Sequence, residues 1–392
     1  MKASSSIEEL LHQFDIMSIN AELDRILEAL SREIQNGLNG QDCGLPMVPM
    51  LCLPEKGLRP KKTDCISIDI GGTTMKSAHV YTEPDGRIYL SELKTGAAPG
   101  LDTEITEEEY FRQVSAFAGI DGNITNVAVS FSHYMSPLPE YDAKILGWCK
   151  EVCPTGASGK SIARIFRETA GVPGLNVRVT NDSVAALLGS IDSFDRGRGT
   201  AGVIVGTGFN ICWIDDSGTV FNTEAGDSKA FPQCFFDRSI DNASANPGCA
   251  QTEKMVSGKY LEHLISYCVS ETGRMGIISD AERYSGLSLK EYCDILLRPE
   301  SDAENLVAYA VKTLLERSAG IAALCCSAFL KHNQCSGGKL IIGTEGSVIN
   351  RAPGYKDVFL RQLEKEFGQN IEIVLQSSDC AGIKGAAKLM WL

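Results

Sequence analysis

The chain has 392 residues, of which 43% are hydrophobic and 22% charged, so it is long enough for two domains with substantial cores. Its formal net charge of −13 argues against a nucleic-acid partner, because such a partner requires a basic surface. No stretch approaches the ~18 apolar residues of a membrane span, the start lacks an apolar signal region, and the 14 cysteines include no CxxC pair. We therefore expect a cytoplasmic protein with free thiols and no membrane partner.

The hydrophobic pattern changes in kind along the first half of the chain. Residues 5–38 have helical spacing, and residues 41–63, rich in Pro, Gly and Lys, are typical of a connector. Three β runs follow, CISIDI, KSAHVY and IYLSEL, joined by the turns GGTT and PDG. The pattern then predicts a helix near 106–118, a strand at 127–131, a helix at 159–170, a strand at 176–180 and a helix at 183–190.

The second half repeats this order of elements. The strands AGVIVG, ICWIDD and VFNTE are joined by glycine turns. The later elements predicted are helices at 252–270, 303–331, 355–367 and 381–391 and strands at 339–343 and 371–375. A repeated unit of this kind predicts two α/β domains that face each other across a cleft, where ligands commonly bind.

Two glycine-containing turns are candidates for phosphate binding. Residues 69–74 (DIGGTT) and 206–210 (GTGFN) each connect two strands, whereas a Rossmann or Walker loop leads from a strand into a helix. Backbone N–H groups of such a hairpin can face an anion, and Asp69 at the strand end can hold Mg²⁺ through water. A plain hairpin turn is the alternative for either one alone. Two at equivalent places predict a clamp on the phosphate chain of a nucleotide.

The pair Asn181 and Asp182 follows a predicted strand and begins a helix. Capping the helix requires only one of the two. Since a carboxylate at the carboxyl end of a strand faces the cleft, Asp182 is a candidate base toward a substrate hydroxyl. The sequence Gly159-Lys160-Ser161 only imitates the end of a Walker loop, because Pro154 occupies the place of the required glycine and no strand precedes it.

Several of these motifs, taken in order, resemble those of hexokinases, which share a superfamily with actin and the Hsp70 ATPases. The resemblance runs from about Met47 to the C-terminus and is carried by residues 50–72, 130–132, 145–150, 179–185, 203–212, 222–226, 241–261 and 343–347. It implies an α/β fold with two actin-like (ribonuclease H-like) domains flanking a deep cleft. We expect an N-terminal helical segment at 1–60 packing on the large domain, a small domain at 61–195 with the C-terminal helix 377–392, and a large domain at 196–376.

The resemblance also implies roles for individual residues. It implies an ATP-dependent hexokinase that phosphorylates glucose or a related hexose at the 6-hydroxyl, with Asp182 as catalytic base. The residues implied to bind the hexose are Ser132, Lys150, Asn181, Asp182, Asn210, Glu224 and Glu253. The residues implied to bind ATP are Asp69, Gly71, Gly72, Thr73, Thr74, Lys76, Gly206, Thr207, Gly208, Gly343, Gly346, Ser347 and Gly382. Mg²⁺ is implied to bind at Asp69, through water.

Some positions depart from the hexokinase pattern. They are Cys149 in place of Thr, Ala225 in place of Trp, His133-Tyr134 in place of Phe-Pro, Thr74 in place of Asn and Lys76 in place of Arg. None removes the base or a phosphate hairpin, so they bear on which sugar is bound.

Two alternative functions stay open at this point. One is a hexokinase-like sugar sensor with little turnover, which the altered sugar loop motivates. The other is an actin-like or chaperone-type ATPase, which leaves Lys150, Asn181, Glu224 and Glu253 unexplained. We also expect the N-terminal segment either to pack on the large domain or to mediate a homodimer.

Overall fold

The structure is a computed structural model. It describes residues 22–41, 44–55, 57–101, 103–148, 152, 154–156, 159–192, 199–333, 338–368 and 370–392. The strands are β1 Val48–Cys52, β2 Thr63–Ile70, β3 Thr74–Thr82, β4 Ile88–Ala97, β5 Asn126–Phe131, β6 Met135–Leu138, β7 Asp142–Ile145, β8 Asn176–Asn181, β9 Gly199–Val205, β10 Phe209–Ile214, β11 Thr219–Asn222, β12 Lys339–Glu345 and β13 Glu372–Gln376. The helices are α1 Leu23–Leu38, α2 Glu107–Ala118, α3 Ile162–Ala170, α4 Asp182–Ser190, α5 Phe235–Ala243, α6 Gln251–Val256, α7 Gly258–Arg274, α8 Leu289–Leu297, α9 Asp302–His332, α10 Ser347–Arg351, α11 Tyr355–Phe367 and α12 Ala381–Lys388.

Two mixed sheets carry the fold, and they share one topology. The first sheet has the order β4-β3-β2-β5-β8, and the second has the order β1-β11-β10-β9-β12-β13. In each, three consecutive strands form an antiparallel meander, a later strand pairs in parallel with the first of them, and a fifth strand pairs in parallel with that one. The repetition predicted from the sequence is therefore confirmed as a repetition of topology, and each sheet has a hairpin between its first two meander strands.

Most of the predicted elements are confirmed within a few residues, and the connector is the main correction. Residues 48–52 form β1, which pairs antiparallel with β11 at the edge of the second sheet. Its Pro49 is tolerated there because an edge strand has one row of unpaired backbone groups. The sequence interpretation also missed the β6–β7 hairpin and the helices α5, α8 and α10, while residues 5–21 of the predicted N-terminal helix lie outside the described residues.

Helices α4 and α12 connect the two sheets. α4 follows β8 of the first sheet yet packs on β9 and β12 of the second, whereas α12 follows β13 of the second sheet and packs on β2 and β5 of the first. The helices cross at two glycines. A Cβ atom at Gly189 would lie 1.9 Å from the carbonyl oxygen of Ala381, and one at Gly385 would lie 1.7 Å from that of Ala185. Glycine is required at both positions for this close approach.

The long helix α9 lies in the core around the second sheet. Among the described residues it is the one helix long and apolar enough to span a membrane, which corrects the expectation that no stretch approaches that composition. Of its most apolar window, 78% is buried inside the protein. It packs against α1, α7, α8 and α11. That environment is typical of a core helix.

Candidate active site

The hairpin between β2 and β3 is the first candidate phosphate site. The Gly71 N–H donates to the carbonyl oxygen of Thr74 at 3.0 Å, and a Cβ at Gly71 would lie 2.7 Å from that oxygen. A glycine is therefore needed to close the turn so tightly. Gly72 is buried, while the hydroxyl-bearing Thr73 and Thr74 are exposed and available to a ligand.

Asp69 lies at the carboxyl end of β2, beside this hairpin. It accepts a hydrogen bond from Ser130 Oγ at 2.7 Å, and Lys76 is its cross-strand neighbour on β3. Gly382, near the start of α12, packs against it so closely that a Cβ there would lie 3.0 Å from Asp69 Oδ2. The predicted set Asp69, Lys76 and Gly382 is thus brought together at one place.

The hairpin between β9 and β10 is the equivalent feature of the second sheet. The Gly206 N–H donates to the Gly208 carbonyl at 3.0 Å, which leaves Thr207 exposed at the tip. The Gly206 carbonyl accepts from the Gly258 N–H at 2.7 Å, where α7 begins. Gly346, which precedes α10, has φ 105°, and a Cβ there would lie 2.2 Å from the Val205 carbonyl oxygen. The backbone around this hairpin is fixed by glycines that approach one another closely.

The residues predicted to border adenosine do not share one environment. Gly346 and the exposed Ser347 lie beside the second hairpin. Gly343 is instead buried within β12, where a Cβ would lie 3.1 Å from the Cβ of Ser190 on α4. Close packing between β12 and α4 therefore explains Gly343, and its contact with adenosine stays a prediction.

Asn181 and Asp182 have different roles at the start of α4. Asn181 Oδ1 accepts from the Ser183 N–H at 2.9 Å and so caps the helix. Because that oxygen is occupied, the Asn181 amide N–H groups are turned away from the cap. Asp182 Oδ1 also accepts from the Ser183 N–H, at 2.8 Å, and its other oxygen makes no hydrogen bond among the described residues. A partly exposed carboxylate oxygen at a strand's carboxyl end is suitably placed to accept a proton.

Asn210 and Glu224 are joined through a residue that the site prediction did not include, Asn222. The Asn210 amide donates to Asn222 Oδ1 at 2.9 Å, and the Asn222 amide donates to Glu224 Oε1 at 2.7 Å. Glu224 has φ 53° and ψ 46°, a left-handed backbone conformation that is costly for a non-glycine residue and is typical of functional sites. The pKa of Glu224 is raised to about 7, mainly by burial and in part by the nearby carboxylate of Asp182.

Glu253 contacts the second hairpin directly. Its Oε2 accepts from the Phe209 N–H at 3.1 Å and lies 3.0 Å from where a Cβ of Gly208 would be. The next residue, Lys254, is buried, and it donates to Asp241 Oδ1 at 2.5 Å and to the Asn246 carbonyl at 2.8 Å. This buried ion pair fixes the loop before α6 and therefore also the position of Glu253, which precedes Lys254.

Glu345, which was not predicted from the sequence, shows that groups of the two sheets meet in one cleft. It ends β12 of the second sheet, and its Oε2 makes no hydrogen bond among the described residues. The pKa of Glu345 is raised to about 7, mainly by burial, with Asp69 and Asp182 of the first sheet adding to the rise and Lys76 opposing it. Charges from both sheets therefore act on this one carboxyl group.

The sugar loop is only partly described. The Ser132 N–H donates to the Ile70 carbonyl at 3.0 Å, which ties this loop to the first hairpin. His133, which the resemblance matches to a Phe of the family pattern, is buried and packs on the rings of Phe131 and Trp148 with centroids 5.0 and 4.7 Å away. Its ring is therefore part of an aromatic cluster. Cys149 and Lys150 lie outside the described residues.

The imitation of a Walker loop is explained by structure alone. Lys160 pairs with the buried Glu107 at 2.7 Å, and the Ser161 hydroxyl caps α3 by accepting from the Arg164 N–H at 3.0 Å. Both side chains have structural partners, as the sequence interpretation expected.

Comparison with known proteins gives one consistent result. Two family models described as Hexokinase match residues 6–191 and 200–392. The hexokinase of Schistosoma mansoni is 23% identical over 98% of this chain and 96% of that protein, and Hexokinase-3 of Mus musculus is 24% identical over 79% of this chain and 36% of that protein. The solved structure of the Schistosoma mansoni hexokinase complexed with glucose covers 100% of this chain and 99% of that one, with a TM-score of 0.79 at 19% identity, and so shares its fold. This chain therefore belongs to the hexokinase family of sugar-phosphorylating enzymes.

Proposed function

We propose that this enzyme transfers the γ-phosphoryl group of ATP to the 6-hydroxyl of a hexose, glucose or a close relative, with Asp182 as the general base. One observation carries the proposal. Asp182 follows Asn181 at the start of α4, and its charge acts both on Glu224, which is joined to Asn210 through Asn222, and on Glu345, next to Gly346 at the second hairpin. We infer that this carboxylate is within reach of both the hydroxyl-binding residues and the candidate phosphate sites.

The chemistry of the polar group suits a hexose. A hexose presents hydroxyls on every side, each able to donate and to accept, and the group offers amide donors and carboxylate acceptors. A buried site of this kind rejects analogues that lack a hydroxyl, because its own polar groups would be left unpaired. Glu253, which bonds to the second hairpin, would join the sugar and phosphate regions.

The hairpins suit the phosphate chain of ATP with Mg²⁺. Exposed Thr73, Thr74 and Thr207 at the tips offer hydroxyl and backbone donors. The described residues contain no group of three His, Cys, Asp or Glu side chains that could enclose a metal ion. A single carboxylate such as Asp69, which accepts from Ser130 Oγ at 2.7 Å beside the first hairpin, fits Mg²⁺, since this ion keeps several waters and reaches a protein with substrate phosphates; Asp69 would hold it through water. The ion would offset the phosphate charge during transfer.

We further propose a reducing, cytoplasmic environment for the enzyme. Ten cysteines among the described residues are free thiols, and several of them are buried in the core. Thiols persist in this state in a reducing compartment.

The proposal is tested with Asp182→Asn and a matched control, Asp192→Asn, an exposed carboxylate just after the same helix. With Mg-ATP and a panel of hexoses, the wild type and Asp192→Asn should release ADP only when a sugar is present. Asp182→Asn should bind the sugar normally and lose about 100-fold or more in kcat, the usual contribution of a general base. An unchanged kcat would remove Asp182 from the mechanism. Sugar binding by the wild type without any turnover would replace the proposal with a sugar sensor.

A further inference from the structure

Asn222 is a buried residue whose backbone is paired with strands on both sides. It ends β11, and its backbone pairs on one edge with Val48 of β1 and on the other with Cys212 of β10. Its side chain is 4% exposed, so contact with a ligand is small at most. The amide of Asn222 is therefore a fixed point behind the residues that face the cleft.

The hydrogen bonds determine which end of each amide faces which partner. The backbone N–H groups of Ile211 and Ala225 both point at Asn210 Oδ1, at 2.7 and 3.2 Å. Because a backbone N–H can only donate, this end of the Asn210 side chain must be its oxygen. The NH₂ end of Asn210 then faces Asn222, whose oxygen accepts. The NH₂ end of Asn222 must in turn face Glu224, which accepts at Oε1.

The same amide also touches the segment that carries the base. Ser183 Oγ lies 2.6 Å from Asn181 Oδ1 and 3.3 Å from Asn222 Oδ1, so its hydroxyl can donate to either oxygen. Ser183 directly follows Asp182 and belongs to the helix that comes from the first sheet. Asn222 thus contacts residues from three separate segments of the predicted sugar site.

We propose that Asn222 is a positioning residue for hexose binding, which holds Asn210 and Glu224 in the orientation that the sugar requires and links them to the turn bearing Asp182. The inference rests on the proposed function, since it takes Asn210 and Glu224 as hexose ligands. Without the Asn222 amide, Glu224 loses a hydrogen-bond donor and the NH₂ group of Asn210 loses its acceptor. Neither loss removes a group that touches the sugar.

The proposal has a pH signature that a purely structural role would not produce. Burial raises the pKa of Glu224, and the carboxylates that face it, Asp182 on α4, Asp227 in the following turn and Glu253 on α6, raise it further. The Asn222 N–H is the contact that lowers it. An ionised Glu224 accepts from sugar hydroxyls, so hexose affinity is present above its pKa and is lost as the pH falls through it. Removing the donor raises that pKa, so the loss begins at a higher pH.

The test uses the full chain, calorimetric Kd values for glucose from pH 6 to 9, and three variants. Asn222→Leu should weaken binding at pH 7 by about tenfold and move the pH of half-maximal affinity upward by about one unit, as expected for a lost hydrogen bond to a charged group. Asn222→Asp, which places a second carboxylate beside Glu224 and so raises its pKa further, should move the pH of half-maximal affinity upward at least as far. The control is Asn333→Leu, which removes another buried amide, one that donates to the Ile214 carbonyl at 2.7 Å. It should keep the wild-type Kd and pH profile.

The outcomes distinguish the positioning role of Asn222 from the proposed hexokinase function on which it rests. Wild-type Kd and pH profile in both Asn222 variants would overturn the positioning role and leave the hexokinase proposal intact. An Asn333→Leu profile shifted as far as that of Asn222→Leu would also overturn it, because the effect would then be general. No glucose or other hexose binding by the wild type at any pH would overturn both.

Discussion

Gly346→Ala tests whether the second hairpin binds the nucleotide. Gly346 has φ 105° and ψ 153°, a conformation almost restricted to glycine, and a side chain there costs about 1–3 kcal/mol in backbone strain alone. The new Cβ would lie 2.2 Å from the Val205 carbonyl oxygen and 2.7 Å from the Gly206 nitrogen. A normal contact requires a displacement of roughly 1 Å, and a close-packed interior offers no slack to absorb it.

The displacement acts on the residues that begin the hairpin, so the expected loss concerns ATP. A misplacement of about 1 Å costs on the order of 100-fold in a reaction that depends on alignment, and we expect that loss in kcat/KM for ATP. The sugar Kd should change far less, because Asn181, Asn210 and Glu224 are held by other hydrogen bonds.

Gly354→Ala is the matched control for this experiment. Gly354 has φ 72°, so a side chain there is also strained, but a Cβ at that position meets no atom within 4 Å. It should cost about 1–2 kcal/mol of stability and leave kcat/KM for ATP unchanged. The assay is steady-state kinetics with ATP varied at saturating sugar, alongside thermal unfolding of both variants. If the folded Gly346→Ala enzyme came within about threefold of Gly354→Ala in kcat/KM for ATP, the second hairpin would not be the segment that positions ATP.

Two further predictions concern buried charges. Arg317 and Asp237 form a buried pair at 2.5 and 2.9 Å, so Arg317→Met should cost about 3–5 kcal/mol in urea unfolding, and adding Asp237→Leu should restore much of it. Failure of the second substitution to recover stability would contradict the unpaired-charge explanation. The pKa of Glu345 is raised in the folded state, so the native protein gains stability as the pH falls from 8 toward 5. Glu345→Gln should raise the unfolding temperature at pH 8 and flatten this dependence, and an unchanged pH profile of unfolding would contradict it.

The sequence predicts those features of the fold and of the site that depend on residues close together in the chain. The two hairpins are visible because glycine turns between apolar strands are a local pattern, and Asn181 with Asp182 is visible because a cap follows a strand. The repeated order of elements is enough to predict two related sheets. These features fix the places where a nucleotide and a base can meet.

Features that depend on distant pairing were not predicted. β1 is five residues long and contains Pro49, so it reads as a connector, and it becomes a strand through pairing with β11 about 170 residues later. The hydrogen bond between Asn210 and Asn222 depends on the register of β10 against β11, although Asn222 lies in a segment that resembles the family. The charges that act on Glu345 include Asp69 and Asp182, which are distant from it in the sequence.

We propose that this enzyme moves one phosphoryl group from ATP to the 6-hydroxyl of a hexose. The most direct measurement is phosphorus NMR of the product formed from Mg-ATP and glucose, with 6-deoxyglucose as the matched substrate. We expect one glucose 6-phosphate for each ADP, and no phosphorylated product from 6-deoxyglucose. A phosphorylated product from 6-deoxyglucose, or ADP formed without any sugar phosphate, would contradict it.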